Sequence, residues 1–300
     1  MAYVFYLILF VLGLGFGSFL NVLAMRYDPN RSVFAPESLG GRSYCPHCHK
    51  ILREFELIPI LSFLFQRGRC RSCRHKLSPQ YPIVEILSGL IFVSIPLFLN
   101  SFYQISNSAF INFSAPRAHY SIIFIWLVAF WVWLLIAAID LKHYLIPNEL
   151  SLVFIILAAI LVMVLIFGRS WLPPFHDSFL RHYSLVFSPT QNVILNHLLG
   201  GIFGALFFYF LYFLSRGKAV GLGDAKLAGA SGLLMGWPDI VLATALAFVL
   251  GGIFGAVLLI EKKKTLSSRL PFAPFLVAGF ALVFFFGYSI VGGYFGLFNL

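Results

Sequence analysis

Long apolar runs separated by short polar segments dominate the chain. Most of these runs approach the about 20 apolar residues that an α-helix needs to cross a bilayer. The sixth run is short and rich in glycine, so we expect it to be partly re-entrant or continuous with the seventh. The pattern predicts an all-α polytopic membrane protein with about eight transmembrane helices. Their predicted bounds are residues 2–24, 82–99, 121–139, 150–168, 194–214, 225–237, 239–260 and 270–296.

The composition agrees with a membrane protein, because 60% of the 300 residues are hydrophobic and only 11% are charged. Soluble globular domains are typically about 45–50% apolar and about 25% charged. The first apolar run has no basic segment before it and no small-residue cleavage site after it. We therefore expect this run to be a retained transmembrane helix and not a signal peptide.

The basic residues are distributed unevenly among the polar segments. If the N-terminus lies outside, 18 of the 21 Lys and Arg residues fall on the inner side, leaving only Arg117, Arg169 and Arg181 outside. Because inner segments of membrane proteins are enriched in Lys and Arg, this asymmetry predicts that both termini lie outside and residues 27–81 in the cytoplasm. The net charge of +10 then requires no nucleic-acid partner. The expected surroundings are the lipid bilayer of the plasma membrane.

Residues 27–81 form the only sizeable polar segment and contain all four cysteines. These form two Cys-x2-Cys pairs separated by 21 residues, namely Cys45 with Cys48 and Cys70 with Cys73. Two such pairs typically surround one tetrahedral zinc ion, whereas the alternative, two disulfides, is disfavoured by a reducing cytoplasm. Four protein ligands would make the zinc structural and not catalytic. A segment of about 50 residues has a small core and benefits from such a metal.

Two aspartates lie at the predicted inner ends of apolar runs, Asp140 and Asp224. An ionisable residue beside hydrocarbon is costly, which favours a functional role. The alternative is ordinary helix-end chemistry, with Asp140 paired to Lys142 and Asp224 starting a helix. In the predicted topology both lie at the same depth on the cytoplasmic side. Two neighbouring carboxyls there would share a proton, so that one activates water while the other polarises a peptide carbonyl, as in aspartic proteases.

Three further residues flank these predicted membrane edges. Gly221 and Gly223 precede Asp224, and we expect them to leave room for an extended substrate backbone. Glu85 lies near the start of the second run, where the helix dipole favours an anion, and contact with a substrate or cofactor is the alternative. The chain contains no dinucleotide fingerprint, Walker loop or His-Glu-x-x-His motif.

Six sequence blocks occur in order along almost the whole chain. They are Gly17–Val22 with Arg26, the two cysteine pairs, Tyr81–Pro82 with Glu85, Ile139–Asp140 with Ile146–Pro147, Gly221–Lys226 and Pro271–Leu276. Together they resemble the blocks of the bacterial type IV prepilin leader peptidases, which are GxGD-type membrane aspartic peptidases and also N-methyltransferases. The blocks depart from the family pattern at Ala273, Asn148, Phe55, Leu57 and residues 218–220.

The resemblance implies that Asp140 and Asp224 are the catalytic pair of an enzyme in the bacterial inner membrane. It implies cleavage after a glycine in prepilins or pseudopilins, which carry a short basic leader, at the cytoplasmic face. It also implies methylation of the new N-terminus by S-adenosylmethionine. The substrate- or cofactor-binding candidates carried over from the family blocks are Gly221, Gly223, Lys226, Glu56, Gly68 and Glu85.

The same resemblance implies three domains. Residues 1–26 are the first transmembrane helix, residues 27–81 the zinc-binding and methyltransferase-associated segment, and residues 82–300 a seven-helix peptidase domain. Two other interpretations remain. One is a family member that cleaves without methylating, and the other is a non-enzymatic assembly or transport protein. An archaeal-type preflagellin peptidase is disfavoured, because that branch lacks the four-cysteine segment.

Overall fold

A computed structural model describes residues 2–105, 109, 116–168, 172, 176–218, 220–262 and 270–297. Arg169, Lys263, Lys264 and Arg269, which contribute to the predicted charge asymmetry, lie outside these residues. The described part is helical, with two isolated β-bridges and no strand. Its longer helices are α1 (Ala2–Arg26), α2 (Gln80–Phe102), α3 (Arg117–His143), α4 (Asn148–Phe167), α5 (Val193–Ser215), α6 (Leu222–Met235), α7 (Asp239–Ile260) and α8 (Ala273–Leu297).

Seven of these helices are long and apolar enough to cross a membrane, all except α6. The prediction of an all-α membrane protein with a four-cysteine segment between the first two helices is confirmed. The sixth predicted span corresponds to α6, which is too short to count as one of the about eight expected crossings. Helix α6 has 14 residues, so it is about 21 Å long, against about 30 Å of hydrocarbon. A cis Trp237–Pro238 bond separates it from α7.

The chain divides into two compact units. Unit 1 contains residues 1–116 and 126–142, and unit 2 contains residues 117–125 and 143–300. In unit 1, α1 packs closely on α2. A Cβ atom at Gly13 would lie 2.7 Å from the backbone of Gly89, and one at Gly17 would lie 2.7 Å from the Cα atom of Glu85. The side chain of Asn21 also donates to the carbonyl of Tyr81 at 3.0 Å, so that a polar bond supports the small-residue contact.

In unit 2, α5 and α6 approach each other at backbone distance. A Cβ atom at Gly200 would lie 2.5 Å from the carbonyl oxygen of Gly232, and one at Gly204 would overlap the carbonyl of Ala228. Helices α7 and α8 make a similar approach where Gly279 faces the carbonyl of Ala243. Small residues allow such approaches, and dispersion contacts between the backbones then stabilise helix pairs within a bilayer.

A buried polar cluster anchors the start of α7 in unit 2. Asp239 is fully buried, and its carboxylate accepts from the Ser178 hydroxyl at 2.7 Å and from the Phe179 N–H at 2.8 Å. The backbone N–H of Trp237 donates to the carbonyl of Asn196 at 2.9 Å. The Ser178 and Phe179 donors satisfy the buried carboxylate of Asp239. Together with the Trp237 bond they fix the connection between α6 and α7.

Candidate active site and metal centre

The two cysteine pairs have the same local backbone structure. In the first, the N–H of Cys45 donates to the carbonyl of Lys50 at 3.0 Å, and in the second the N–H of Cys70 donates to that of His75 at 2.9 Å. The residue after each pair adopts a left-handed conformation, with φ of 55° at His49 and 59° at Arg74. Each turn therefore presents its two thiols to the same side.

The four sulfur atoms converge on one point. All lie within 4.8 Å of one another, and the Sγ atoms of Cys45 and Cys73 are 4.0 Å apart. Tetrahedral zinc with Zn–S bonds of about 2.3 Å requires sulfurs about 3.8 Å apart, so the cluster fits this ion. The cysteines are free thiols, which excludes the predicted alternative of two disulfides in this structure. Backbone N–H donors, chiefly that of Cys73, lower the pKa of the Cys70 thiol to about 7, which favours the thiolate that a metal binds.

Asp224 lies in the first turn of α6, where the sequence places it. Its Oδ2 atom accepts from the N–H of Gly221, the N-cap residue, at 3.0 Å. Burial raises the pKa of the Asp224 carboxyl above its ordinary value, while the Gly221 N–H lowers it. The helix N-terminus favours the ionised form in addition. Asp224 is thus a partly buried carboxyl held in one orientation by the backbone.

The two glycines before Asp224 differ in their surroundings. A Cβ atom at Gly223 would lie 3.2 Å from the side chain of Ile146, so this glycine lets α6 approach the Ile146–Pro147 turn. Within the described part of the chain, a Cβ atom at Gly221 would meet the Asp224 carboxylate at 3.5 Å and Gly223 N at 3.9 Å. Gly223 therefore serves close packing, while room for a substrate backbone beside Gly221 stays a prediction.

Lys226 connects α6 to α4. Its Nζ atom donates to Oδ1 of Asn148 at 2.9 Å, at the first residue of α4. Asn148 is one of the positions where the chain departs from the family pattern, so the contact is a hydrogen bond here and not an ion pair. The sequence did not indicate this partner, because 78 residues separate the two side chains.

Asp140 lies in the last turn of α3 and is only 5% exposed. An acid at the C-terminus of a helix meets the unfavourable end of the helix dipole. The nearby Lys142 directs its Nζ atom to the carbonyl of Met25 at 3.1 Å. Asp140 is therefore a buried acid at a helix end that disfavours its charge.

Glu56 and Glu85, predicted from separate family blocks, line one cavity of unit 1. The cavity has a volume of about 280 Å³ and is bounded by α1, α2 and the cysteine segment. Glu85 is 7% exposed and accepts from the N–H of Ile60 at 2.7 Å. Glu56 is half-buried, and its carboxylate accepts from the N–H of Arg53 at 2.8 Å.

Gly68 is not part of this cavity wall. It adopts a left-handed φ of +64°, and a Cβ atom there would lie 3.1 Å from the ring of Phe63. The turn before the second cysteine pair thus depends on a residue without a side chain. We interpret Gly68 as a residue that shapes the metal-binding segment.

These features define a class, a polytopic helical membrane protein with a four-cysteine segment between its first two spans. Residues 11–99 match the model of the bacterial peptidase A24 N-terminal domain, and residues 127–256 match that of the type IV leader peptidase family. The chain belongs to the type IV leader peptidase family. No solved structure matches it.

Curated relatives cover nearly the whole chain. The prepilin leader peptidase/N-methyltransferase of Bacillus subtilis is 31% identical over 96% of this chain and 96% of its own length. The protein of the same name from Burkholderia pseudomallei is 29% identical over 94% of this chain and 87% of its own. That from Aeromonas hydrophila is 26% identical, with 97% and 94% covered. The similarity therefore includes both the cysteine segment and the two aspartates.

Proposed function

We propose that the protein cleaves the basic leader peptide of prepilins or pseudopilins after a glycine and then methylates the new N-terminus. Cleavage takes place at the cytoplasmic face of the inner membrane, and S-adenosylmethionine is the methyl donor. The observation that carries this proposal is the match of residues 127–256 to the type IV leader peptidase family, because this range includes both Asp140 and Asp224. The names of the curated relatives support both activities.

Asp140 and Asp224 act as the acid–base pair in this proposal. The positions of the two acids motivate a division of roles, because Asp224 lies at the N-terminus of α6 and Asp140 at the C-terminus of α3, where the helix dipoles act in opposite senses. Asp224 takes a proton from water as the water oxygen attacks the scissile carbonyl carbon, and Asp140 donates its proton to the carbonyl oxygen. The C–N bond then breaks as Asp224 gives its proton to the leaving amine, and the carbonyl re-forms as one hydroxyl of the tetrahedral intermediate returns a proton to Asp140.

Methyl transfer is the second activity. S-adenosylmethionine would supply an electrophilic methyl group to the freed amine, whose lone pair attacks the methyl carbon. Such a transfer would release S-adenosylhomocysteine and one proton. The four cysteines hold a structural zinc ion, because four protein ligands leave no open position for substrate.

Two isosteric variants test the peptidase. Asp140→Asn and Asp224→Asn should each lower cleavage of a prepilin substrate by at least about 100-fold, the usual contribution of a positioned acid or base. Asp28→Asn is the matched control, because the Asp28 side chain is 45% exposed and bonds to its near neighbours Asn30 and Arg31. All three proteins should insert into membranes at equal levels. Normal processing by either active-site variant would support the assembly or transport interpretation instead.

Methyl transfer requires its own assay. The wild-type protein is incubated with prepilin and S-adenosylmethionine labelled in the methyl group, and the mature product is analysed by mass spectrometry. We expect a cleaved product that carries one label on its N-terminal amine. A cleaved, unlabelled product would identify a peptidase without methyl transfer.

A further inference from the structure

The cavity of unit 1 combines an apolar wall with a small number of charged groups. Its volume of about 280 Å³ is slightly below the about 300–1,000 Å³ typical of small-molecule sites. Such a cavity accommodates part of a cofactor, while the remainder extends through the opening. Tyr44, Phe63 and Tyr81 contribute aromatic surface, and Cys45 and Cys70 join the cavity wall to the metal centre.

Glu85 is the most deeply buried charged residue of this wall. Its two hydrogen-bond partners are the Ile60 N–H, at 2.7 Å, and the Ser18 hydroxyl. Among the described residues, no ion pair joins its carboxylate to a Lys, Arg or His side chain. A carboxylate removed from water is costly unless a cation accompanies it. Because Glu85 lines the cavity, a cation bound in the cavity would compensate its charge.

A strained backbone conformation at Ile60 positions the N–H that binds the Glu85 carboxylate. Ile60 adopts a φ of 61°, a region that β-branched residues rarely occupy. This conformation directs the Ile60 N–H towards Oε2 of Glu85. Such outliers cluster at functional sites, because the surrounding structure has to stabilise them.

The basic groups of the wall are engaged elsewhere. The Arg26 guanidinium donates to four carbonyls, those of Ser38, Gly40, Gly41 and Arg42. Lys142 donates to the carbonyl of Met25. The cavity thus contains two carboxylates, one buried and one half-buried, and its two cations are held by backbone oxygens.

We propose that this cavity binds the sulfonium end of S-adenosylmethionine, with the Glu85 carboxylate as the counter-ion of the sulfonium. The inference rests on the proposed methyltransferase function and assigns the cofactor a place in unit 1. A sulfonium carries a positive charge but no N–H or O–H donor, so a buried carboxylate in an apolar wall recognises it by charge. S-adenosylhomocysteine lacks both the methyl group and the charge, and the site discriminates against it.

The test compares the two cofactor forms by calorimetric titration of the purified full-length protein in nanodiscs, without substrate. We expect the wild type to bind S-adenosylmethionine about tenfold more tightly than S-adenosylhomocysteine, the equivalent of about 1.4 kcal/mol. Glu85→Gln keeps an acceptor for the Ile60 N–H but has no charge, and it should reduce this ratio to about one. Glu54→Gln is the matched control, because Glu54 is exposed and not part of the wall. An unchanged ratio in Glu85→Gln would overturn the inference.

A second measurement needs no variant and remains informative if Glu85→Gln is unstable, as judged by zinc content and thermal unfolding. Ultraviolet cross-linking of radiolabelled S-adenosylmethionine to the wild type should label peptides that contain Tyr44, Phe63 or Tyr81. Labelling confined to unit 2 would contradict the assignment. These results are separable from the proposed function, because a wild type that methylates prepilin but labels elsewhere keeps its function and loses only this site.

Discussion

The cysteine segment of unit 1 and the α5–α6 helix pair of unit 2 are stabilised by different means. Between Arg31 and Ser78 the segment buries few side chains fully, mainly Val33, Cys45 and Cys70, and two of these three are thiols of the metal centre. The α5–α6 pair is joined at Gly200, Gly204 and Gly232, where backbones meet directly. The first region depends on the chemistry of four sulfur atoms, and the second depends on the absence of side chains.

Because the two regions differ in this way, a substitution has to preserve the four thiols in the cysteine segment and the small side-chain volume in the helix pair. In the segment, we expect a change of size to be tolerated if four thiols remain, because metal–ligand bonds stabilise small domains that have few buried side chains. In the helix pair, chemistry matters little and volume decides, because there is no space between the backbones. The predictions below test this contrast.

Loss of the cysteines should have the largest effect. The double variant Cys45→Ser, Cys70→Ser should contain no bound zinc and should be cut rapidly by protease within residues 42–76, because structural zinc contributes about 10–16 kcal/mol in small domains. Metal content by plasma mass spectrometry and limited proteolysis measure this. Ser72→Ala, between two ligands, is the control and should keep one zinc per chain. Absence of zinc from the wild type would refute the metal centre.

A side chain at the helix contact should have the next largest effect. Gly232→Leu places its Cβ atom against the carbonyl of Gly200, and we expect a loss of about 3 kcal/mol or more, since overpacking a tight contact costs about 1–3 kcal/mol even in adaptable cores. Thermal unfolding followed by circular dichroism measures the change. Gly252→Leu is the matched control, because a Cβ atom there meets nothing within 4 Å. Equal melting temperatures for both variants would contradict the packing argument.

The decrease of kcat/KM for cleavage at acidic pH, the acid limb of the pH profile, should reflect the ionisation of Asp224. Burial raises the pKa of this carboxyl, so the ionised form is lost at a higher pH than the ordinary Asp value of about 3.9. Cleavage should therefore fall as the pH decreases through that raised pKa. Gly221→Pro removes the N–H that accompanies the carboxylate and should move the limb to still higher pH. The measurement is kcat/KM against pH, and a limb that does not move in this variant would show that the hydrogen bond has no effect on the ionisation.

The smallest effect is expected at the contact between α6 and α4. Asn148→Asp converts the hydrogen bond from Lys226 into an ion pair and should change the free energy of unfolding by no more than about 1 kcal/mol, because exposed ion pairs contribute little. Any gain should decrease with added salt. Lys226→Gln in the same background is the control that should remove the salt dependence. A gain that persists at high salt would point to a cause other than charge.

Local sequence was sufficient for several of these features. The cysteine cluster was predictable, because each Cys-x2-Cys turn forms within a few residues. The seven long spans were predictable from hydrophobic length. The roles of Gly223 and Lys226 were harder to predict from the sequence, because their partners Ile146 and Asn148 are 77 and 78 residues away in the chain. Their roles depend on how α6 packs against α4, which no local pattern specifies.

The sequence by itself determined the helical class, the two cysteine pairs that form one cluster and the presence of two acids at the ends of apolar runs. These follow from periodicity, spacing and the cost of charge beside hydrocarbon. Only the tertiary structure decided that α6 is a short buried helix and that Glu85 lines a cavity with Glu56. The reason is physical: a cavity and a buried carboxylate arise where separate elements pack, and burial is a property of the neighbours and not of the residue.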